Sequence, residues 1–194
     1  KSYLRYYKHF FPIFAKKATR VATVSEFSRR DIASVYQIAE SKIDVVYSAA
    51  KEEYKPCSKE EIVATKTQYT DSKDYFYFVG SLHKRKNLAN LFRAFDLFKK
   101  ETQSDVKLVI VGSKMWWKGE VAEAFEAMKY KDEVIFTSRL STEEVNRIAS
   151  ASIACMFVSL FEGFGVPPLE AFRSGTAAVV SDVTSMPEIC GDAA

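Results

Sequence analysis

Five short apolar runs separated by helical patterns constrain the fold of this chain more than any other feature of its sequence. The runs occupy residues 75–79, 107–111, 133–136, 153–158 and 177–181. Between them, apolar residues recur at helical spacing, as in the series Leu88, Leu91, Phe92, Phe95 and Phe98. Strands that alternate with helices form parallel sheets covered on both faces. The sequence therefore predicts an α/β fold, with a Rossmann-like parallel sheet and helices on both of its faces.

In such a sheet, ligands bind where a strand ends and the chain enters the next helix. After the fourth run, Glu162 and Glu170 flank a turn rich in glycine and proline. Pro168 suits the first turn of a helix and Gly175 suits its end, so we place Glu162 in the turn and Glu170 in the first helical turn. Carboxylates accept hydrogen bonds from sugar hydroxyls. Alternatively, Glu170 complements the helix dipole and Glu162 is solvated, but the two glutamates together with this turn favour a ligand site.

A basic loop follows the first run. Gly80 permits a sharp exit from the strand, and Arg85 and Lys86 then stand at the entrance of a helix capped by Asn87. Two cations beside a helix amino terminus can neutralise a diphosphate. A solvated basic turn is the alternative, and the position at the carboxyl end of a strand favours the phosphate-binding interpretation.

The segment from Glu162 to Glu170, with seven residues between the two glutamates, resembles the E-x7-E motif of the retaining GT-B glycosyltransferases of family GT4. The loop from Gly80 to Asn87 is similar to that family's Gly-x-Leu followed by Arg-Lys-Asn, although Ser81 stands where many members carry arginine. The resemblance extends over residues 18–194. It implies that the chain contains the donor half of a GT-B fold, which binds a nucleotide diphosphate sugar.

The resemblance also implies roles for individual residues. Glu162 would contact the donor hexose and Glu170 the ribose, while Arg85 and Lys86 would contact the phosphates; Glu162, Arg85 and Lys86 form the catalytic set. Amides of the turn would reach the sugar and the diphosphate, and the loop at residues 137–140 would lie near the base. The implied donor-binding residues are Gly80, Ser81, Ser138, Gly163, Phe164, Gly165, Leu169 and Glu170.

The same resemblance predicts the domain organisation. Residues 1–47 would be a remnant of the amino-terminal acceptor domain, residues 48–74 an interdomain connector, and residues 75–194 a donor-binding domain that is incomplete at its carboxyl end. Because the acceptor domain would be nearly all absent, we expect this polypeptide alone to bind a donor without transferring its sugar.

The implied activity is retaining transfer of a hexosyl group from a nucleotide diphosphate sugar to a glycan or lipid-linked acceptor. The motif variants look most like those of mannosyltransferases of bacterial surface-polysaccharide pathways, so GDP-mannose is the expected donor. Two other interpretations stay open: a non-catalytic domain that binds a nucleotide sugar or a partner, and a Rossmann-like interaction domain without a sugar ligand.

Composition and missing motifs exclude several other classes of protein. A formal net charge of +3 does not favour a nucleic-acid binder. Three widely spaced cysteines favour neither a disulfide framework nor a zinc site, and they suit a reducing cytoplasm. The chain has no Asp-x-Asp triplet, so we expect no bound metal and no other cofactor. The lack of a GxGxxG motif after a strand argues against a dehydrogenase.

Segment 1–20, a pair of tryptophans and one further glutamate also suggest structural or functional roles. The segment 1–20 mixes basic with aromatic residues and has no acidic residue, which favours either the inner face of the cytoplasmic membrane or packing against another domain. We expect the helix in this segment to be interrupted or to restart near Pro12. Trp116 and Trp117 either stack on an acceptor or partner or cover the edge of the core, and Glu188 is expected to be structural.

Overall fold

The computed structural model describes residues 2–113 and 117–194, so Lys1 and Trp116 lie outside the described residues. The helices are α1 Ser2–Lys17, α2 Glu26–Tyr36, α3 Lys59–Thr70, α4 Leu88–Thr102, α5 Glu120–Glu126, α6 Thr142–Ala151, α7 Val166–Arg173 and α8 Met186–Cys190. The strands are β1 Val21–Thr23, β2 Ile43–Val45, β3 Tyr75–Val79, β4 Lys107–Val111, β5 Val134–Thr137, β6 Ala154–Phe157 and β7 Ala177–Val180.

Strands β3 to β7 form one parallel sheet in the order β5-β4-β3-β6-β7. The chain begins this sheet at its centre, extends it to one side through β4 and β5, and returns to the other side of β3 for β6 and β7. The direction of the strand order therefore reverses between β3 and β6, which is where open parallel sheets form a ligand crevice. The predicted α/β parallel sheet is confirmed, with strand ends within one residue of the predicted ones.

Both faces of this sheet are buried, because successive side chains of a strand point to opposite sides. Tyr75 and Tyr77 of β3 belong to one apolar layer, which also contains buried residues of α6 and α7. Phe78 of β3 belongs to the other, together with Leu108 and Ile110 of β4 and the apolar faces of α4 and α5. This two-sided burial explains why the strands appear in the sequence as continuous apolar runs.

The amino-terminal part adds a second, two-stranded parallel sheet made of β1 and β2. The predicted interruption at Pro12 is wrong, since α1 continues through it. Proline removes one helix hydrogen bond, and the exposed position of Lys8, four residues earlier, leaves its carbonyl group accessible to water. Within the described residues, no helix is long and apolar enough to span a membrane.

Helix α1 leaves its aromatic side chains exposed, in the set Tyr3, Tyr6, Tyr7, Phe10, Phe11 and Phe14. Both interpretations of segment 1–20 require such a surface, and contact with a membrane stays a prediction. Trp117 behaves differently, because its ring lies 5.2 Å from that of Phe125 and 5.1 Å from that of Phe136. Of the two alternatives for this tryptophan, the structure therefore shows the core-covering one.

The predicted connector contains α3, whose amino terminus is closed by reciprocal hydrogen bonds between Ser58 and Glu61. Helix α3 packs against α6, and its Ile62 and Tyr69 contact the apolar layer that contains Tyr75. The last part of the segment 48–74 thus lies against the five-stranded sheet layer, while the domain boundaries themselves stay a prediction.

Candidate functional site

The basic loop and the glycine-rich turn meet at the carboxyl ends of β3 and β6, where the strand order reverses. The backbone N–H of Leu160 donates to the carbonyl oxygen of Arg85 at 2.8 Å. The side-chain amide of Asn87 donates to the carbonyl oxygen of Val158 at 3.0 Å. Asn87 is the N-cap residue of α4, as predicted, but its side chain makes no capping hydrogen bond; the residue has φ of 60° and its side chain links the basic loop to the end of β6 instead.

A compact charged cluster occupies this meeting point. Lys86 Nζ and Arg85 Nη1 each lie 2.7 Å from Oε1 of Glu162. Lys86 and Glu162 are buried, whereas the Arg85 side chain is 39% exposed. Lys86 Nζ also lies 4.4 Å from the centroid of the Phe157 ring, within the range of a cation–π interaction. The three residues that the resemblance assigned to catalysis are therefore in direct contact.

The charges of the cluster stabilise each other in a partly dry environment. Burial acts to raise the pKa of Glu162, but hydrogen bonds from Lys86 and Arg85 outweigh it and the pKa lies below its usual value. Burial lowers the pKa of Lys86, and the attraction of Glu162 offsets this only in part. Glu162 is thus an ionised carboxylate at neutral pH, suited to accepting hydrogen bonds from hydroxyl groups.

Close packing shapes the turn that follows Glu162. Gly165 has φ of 107°, which side chains rarely adopt, and a Cβ atom built on it would lie 2.2 Å from Cε of Met186, so any other residue would be strained there. The side chain of Phe164 is buried, and its ring centroid lies 6.1 Å from that of Tyr47. Helix α7 then begins at Val166 and has Gly175 beyond its end, as predicted.

Glu170 lies in the second turn of α7, so its predicted place in the first turn is wrong; the helix already begins before both prolines. The carboxylate is half-buried, beside the hydroxyl of Tyr54. Burial raises the pKa of Glu170, and the hydrogen bond with Tyr54 and the charge of Lys51 offset this only in part. Leu169, the residue before it, is also half-buried. Sequence reasoning missed Tyr54, because nothing in its local pattern points towards α7.

The environment of Glu170 predicts a dependence of stability on pH. A carboxyl group with a raised pKa in the folded state stabilises the fold while it is protonated, and this contribution is lost as pH rises from about 4.5 through the raised pKa. Glu170→Gln removes the titration and retains the shape of the side chain. We therefore expect the melting temperature of this variant, relative to that of the parent, to increase between pH 4.5 and pH 8.

Thermal unfolding followed by circular dichroism across this pH range measures the difference. A constant difference between Glu170→Gln and the parent at every pH would show that Glu170 does not have a raised pKa.

A cavity of about 370 Å³ lies beside the charged cluster at the ends of β3, β4 and β5. It is lined by Val79, Gly80, Ser81, Val111, Gly112, Ser113, Arg139, Leu140 and Val145. The predicted residues Gly80 and Ser81 therefore line it, as do Gly112 and Ser113. Ser138 is exposed and is not among the lining residues, although the next two residues of its loop are. The cavity has the location and size to hold a nucleoside.

Glu188 has a clear structural contact. Its two carboxylate oxygens accept hydrogen bonds from the backbone N–H groups of Glu26 at 2.7 Å and Phe27 at 3.0 Å, at the start of α2. The hydroxyl of Tyr47 donates to the same carboxylate at 2.9 Å. An acidic group at a helix amino terminus is stabilising, so Glu188 links α8 to α2. Over residues 2–113 and 117–194, no group of three or more acidic, histidine or cysteine side chains is placed to hold a metal ion.

Comparisons with known proteins agree on one family. The family model for glycosyl transferases group 1 matches residues 59–194. An O-antigen chain mannosyltransferase of Escherichia coli is 29% identical over 91% of this chain and 46% of its own length. A second O-antigen chain mannosyltransferase, from Salmonella typhimurium, is 27% identical over 95% of this chain and 48% of its own. The chain thus spans about half the length of these curated relatives.

Solved structures show the same fold at low sequence identity. Anabaena HepE, crystallised with UDP and glucose, superposes with a TM-score of 0.79 at 16% identity, over 90% of this chain and 47% of HepE. WaaG, a glycosyltransferase involved in lipopolysaccharide biosynthesis, superposes with a TM-score of 0.75 at 15% identity, over 91% of this chain and 48% of WaaG.

Proposed function

Because the chain belongs to the glycosyl transferases group 1 family, we propose that it is the donor-binding part of a retaining hexosyltransferase that moves a mannosyl group from GDP-mannose to a glycan acceptor. The sequence resemblance to this family and to its GT-B fold is confirmed. One observation carries the proposal beyond the family: Glu162 contacts both Arg85 and Lys86 at the crevice between β3 and β6.

The geometry suits a charged sugar donor. The leaving group of a nucleotide-sugar reaction is a diphosphate, and cations fixed beside it stabilise the charge that develops as the glycosidic bond breaks. Arg85 is partly exposed and can turn from Glu162 towards a phosphate oxygen, while the buried Lys86 keeps Glu162 ionised and in place. In this arrangement Glu162 accepts hydrogen bonds from the hexose hydroxyls, and the cavity beside Gly80 and Gly112 receives the nucleoside.

The choice of mannose is supported by the relatives, since both proteins described above are named mannosyltransferases of O-antigen chains. The absence of a metal and a cytoplasmic, membrane-peripheral location also stay predictions.

Isothermal titration of the chain with GDP-mannose, UDP-glucose and UDP tests the proposal. We expect GDP-mannose to bind most tightly. Because the chain spans about half the length of its curated relatives, we expect no sugar transfer to accompany binding. A preference for UDP-glucose would overturn the assignment of mannose. If none of the three ligands bound, the proposed donor site would be wrong and the interaction-domain alternative would be favoured.

A further inference from the structure

Three successive carbonyl groups of the turn, those of Glu162, Gly163 and Phe164, accept hydrogen bonds from serine hydroxyls of distant segments. We propose that Ser185 and Ser25 are positioning residues of the donor site, which orient the N–H groups of this turn for hydrogen bonding to the bound nucleotide sugar. The inference rests on the proposed function and adds residues to it that lie outside both predicted motifs.

Ser185 lies in the loop after β7 and binds the turn from one side. Its side chain is fully buried, and Oγ lies 3.0 Å from the carbonyl oxygen of Glu162 and 2.8 Å from that of Phe164. The neighbouring Thr184 accepts the backbone N–H of Glu162 through Oγ1 at 3.2 Å. Two adjacent hydroxyl side chains therefore bind both ends of the turn, and a change of its backbone conformation would break these bonds.

Ser25 holds the turn from the other side. It is also fully buried, and its Oγ donates to the carbonyl oxygen of Gly163 at 2.6 Å while accepting the N–H of Ser28 at 3.0 Å. Ser28 Oγ contacts the same carbonyl at 3.1 Å. Since Glu188 binds the start of α2, the segments that carry Ser25 and Ser185 are themselves joined. Helix α2, the turn and the start of α8 thus form a closed set of contacts.

These bonds determine where the N–H groups of the turn point. All peptide bonds of the described residues are trans, so the N–H that follows each carbonyl points away from it. The N–H groups of Gly163 and Gly165 therefore point away from Ser185, whereas that of Phe164 points away from Ser25 on the other side of the turn. None of the three donates a hydrogen bond to any described residue. Those of Gly163 and Gly165 are thus two donors oriented to the same side beside Glu162 at the start of α7, where a diphosphate or sugar oxygen is a suitable acceptor.

The test measures ligand affinity and amide environment together. Selective labelling of glycine with ¹⁵N gives seven backbone signals, among them Gly163 and Gly165 within the turn and Gly175 beyond the opposite end of α7. We expect GDP-mannose to shift the two turn signals and to leave that of Gly175 unchanged. In Ser185→Ala the turn signals should already differ without ligand, and the affinity should fall about tenfold, the effect of one net hydrogen bond.

Ser152→Ala is the matched control, because Ser152 Oγ donates to the carbonyl oxygen of Ala149 at 2.7 Å at the opposite end of the sheet. It should lower stability without changing affinity. If the parent binds GDP-mannose and Ser185→Ala binds it equally well, the inference is wrong and the proposed function stands. If the parent binds no nucleotide sugar, the proposed function is wrong, and the inference that rests on it is wrong as well. Ser25→Ala gives a second measurement, with the same expected loss of affinity.

Discussion

Gly112→Ala should be among the most destabilising single substitutions in this chain. A Cβ atom built on Gly112 would lie 2.0 Å from the carbonyl oxygen of Gly80, which is backbone and cannot move as a side chain would. Gly80 is itself held by the hydrogen bond from its N–H to the carbonyl oxygen of Val111, at 3.0 Å. The ends of β3 and β4 must therefore separate to admit one methyl group, and we expect a loss of roughly 3–5 kcal/mol in the free energy of unfolding.

Thermal or urea unfolding measures this loss, which corresponds to a fall of about 10 °C in melting temperature for a chain of this size. Gly119→Ala is the control: its φ of 58° also disfavours alanine, but no atom lies within 4 Å of the added carbon. We expect Gly119→Ala to lower the free energy of unfolding by about 1–2 kcal/mol. Similar losses in the two variants would contradict the close approach of β3 and β4. Because both Gly80 and Gly112 line the 370 Å³ cavity, we also expect Gly112→Ala to lose nucleotide binding.

Glu162→Ala should affect both stability and donor binding. The substitution leaves the buried Lys86 next to Arg85 without the carboxylate that now contacts both. Removing one partner of a buried ion pair leaves a desolvated charge, so we expect a loss of roughly 3 kcal/mol in the free energy of unfolding. In the double variant Glu162→Leu with Lys86→Met, neither charge remains, and stability should recover in part. A double variant less stable than Glu162→Ala would show that the unpaired charge of Lys86 is not the cause of the lost stability.

The same substitution tests the division of roles between the two glutamates. Loss of a hydrogen bond to a charged group costs about 1.5–3 kcal/mol, or roughly 10- to 150-fold in affinity. We expect Glu162→Ala to reduce the affinity for GDP-mannose more than that for GDP, since its predicted partner is the sugar. Glu170→Ala should weaken the binding of both ligands equally, since its predicted partner is the ribose. Titrations below the melting temperature of each variant measure this, and equal effects of both substitutions on GDP would refute the division.

Much of the candidate site could be predicted from the sequence because its signals are local. The apolar pattern of residues 75–79 and the helical pattern that follows it predict a strand without information from the rest of the chain. The turn from Glu162 to Glu170 likewise contains its own glycines, prolines and carboxylates, so its resemblance to a family motif needs no knowledge of the fold. The same locality explains the error at Pro12, where the exposure of the helix to water decided the outcome.

The contacts that unite the site were decided by tertiary structure alone. Lys86 and Glu162 are 76 residues apart, and Ser25 and Gly163 are 138 residues apart. These residues meet because β6 pairs with β3, which places the loops after the two strands side by side. Local periodicity identifies strands but does not specify their order in the sheet. The sequence therefore identified the segments that we propose bind a nucleotide sugar, and only the packing of the sheet decided which side chains hold those segments together.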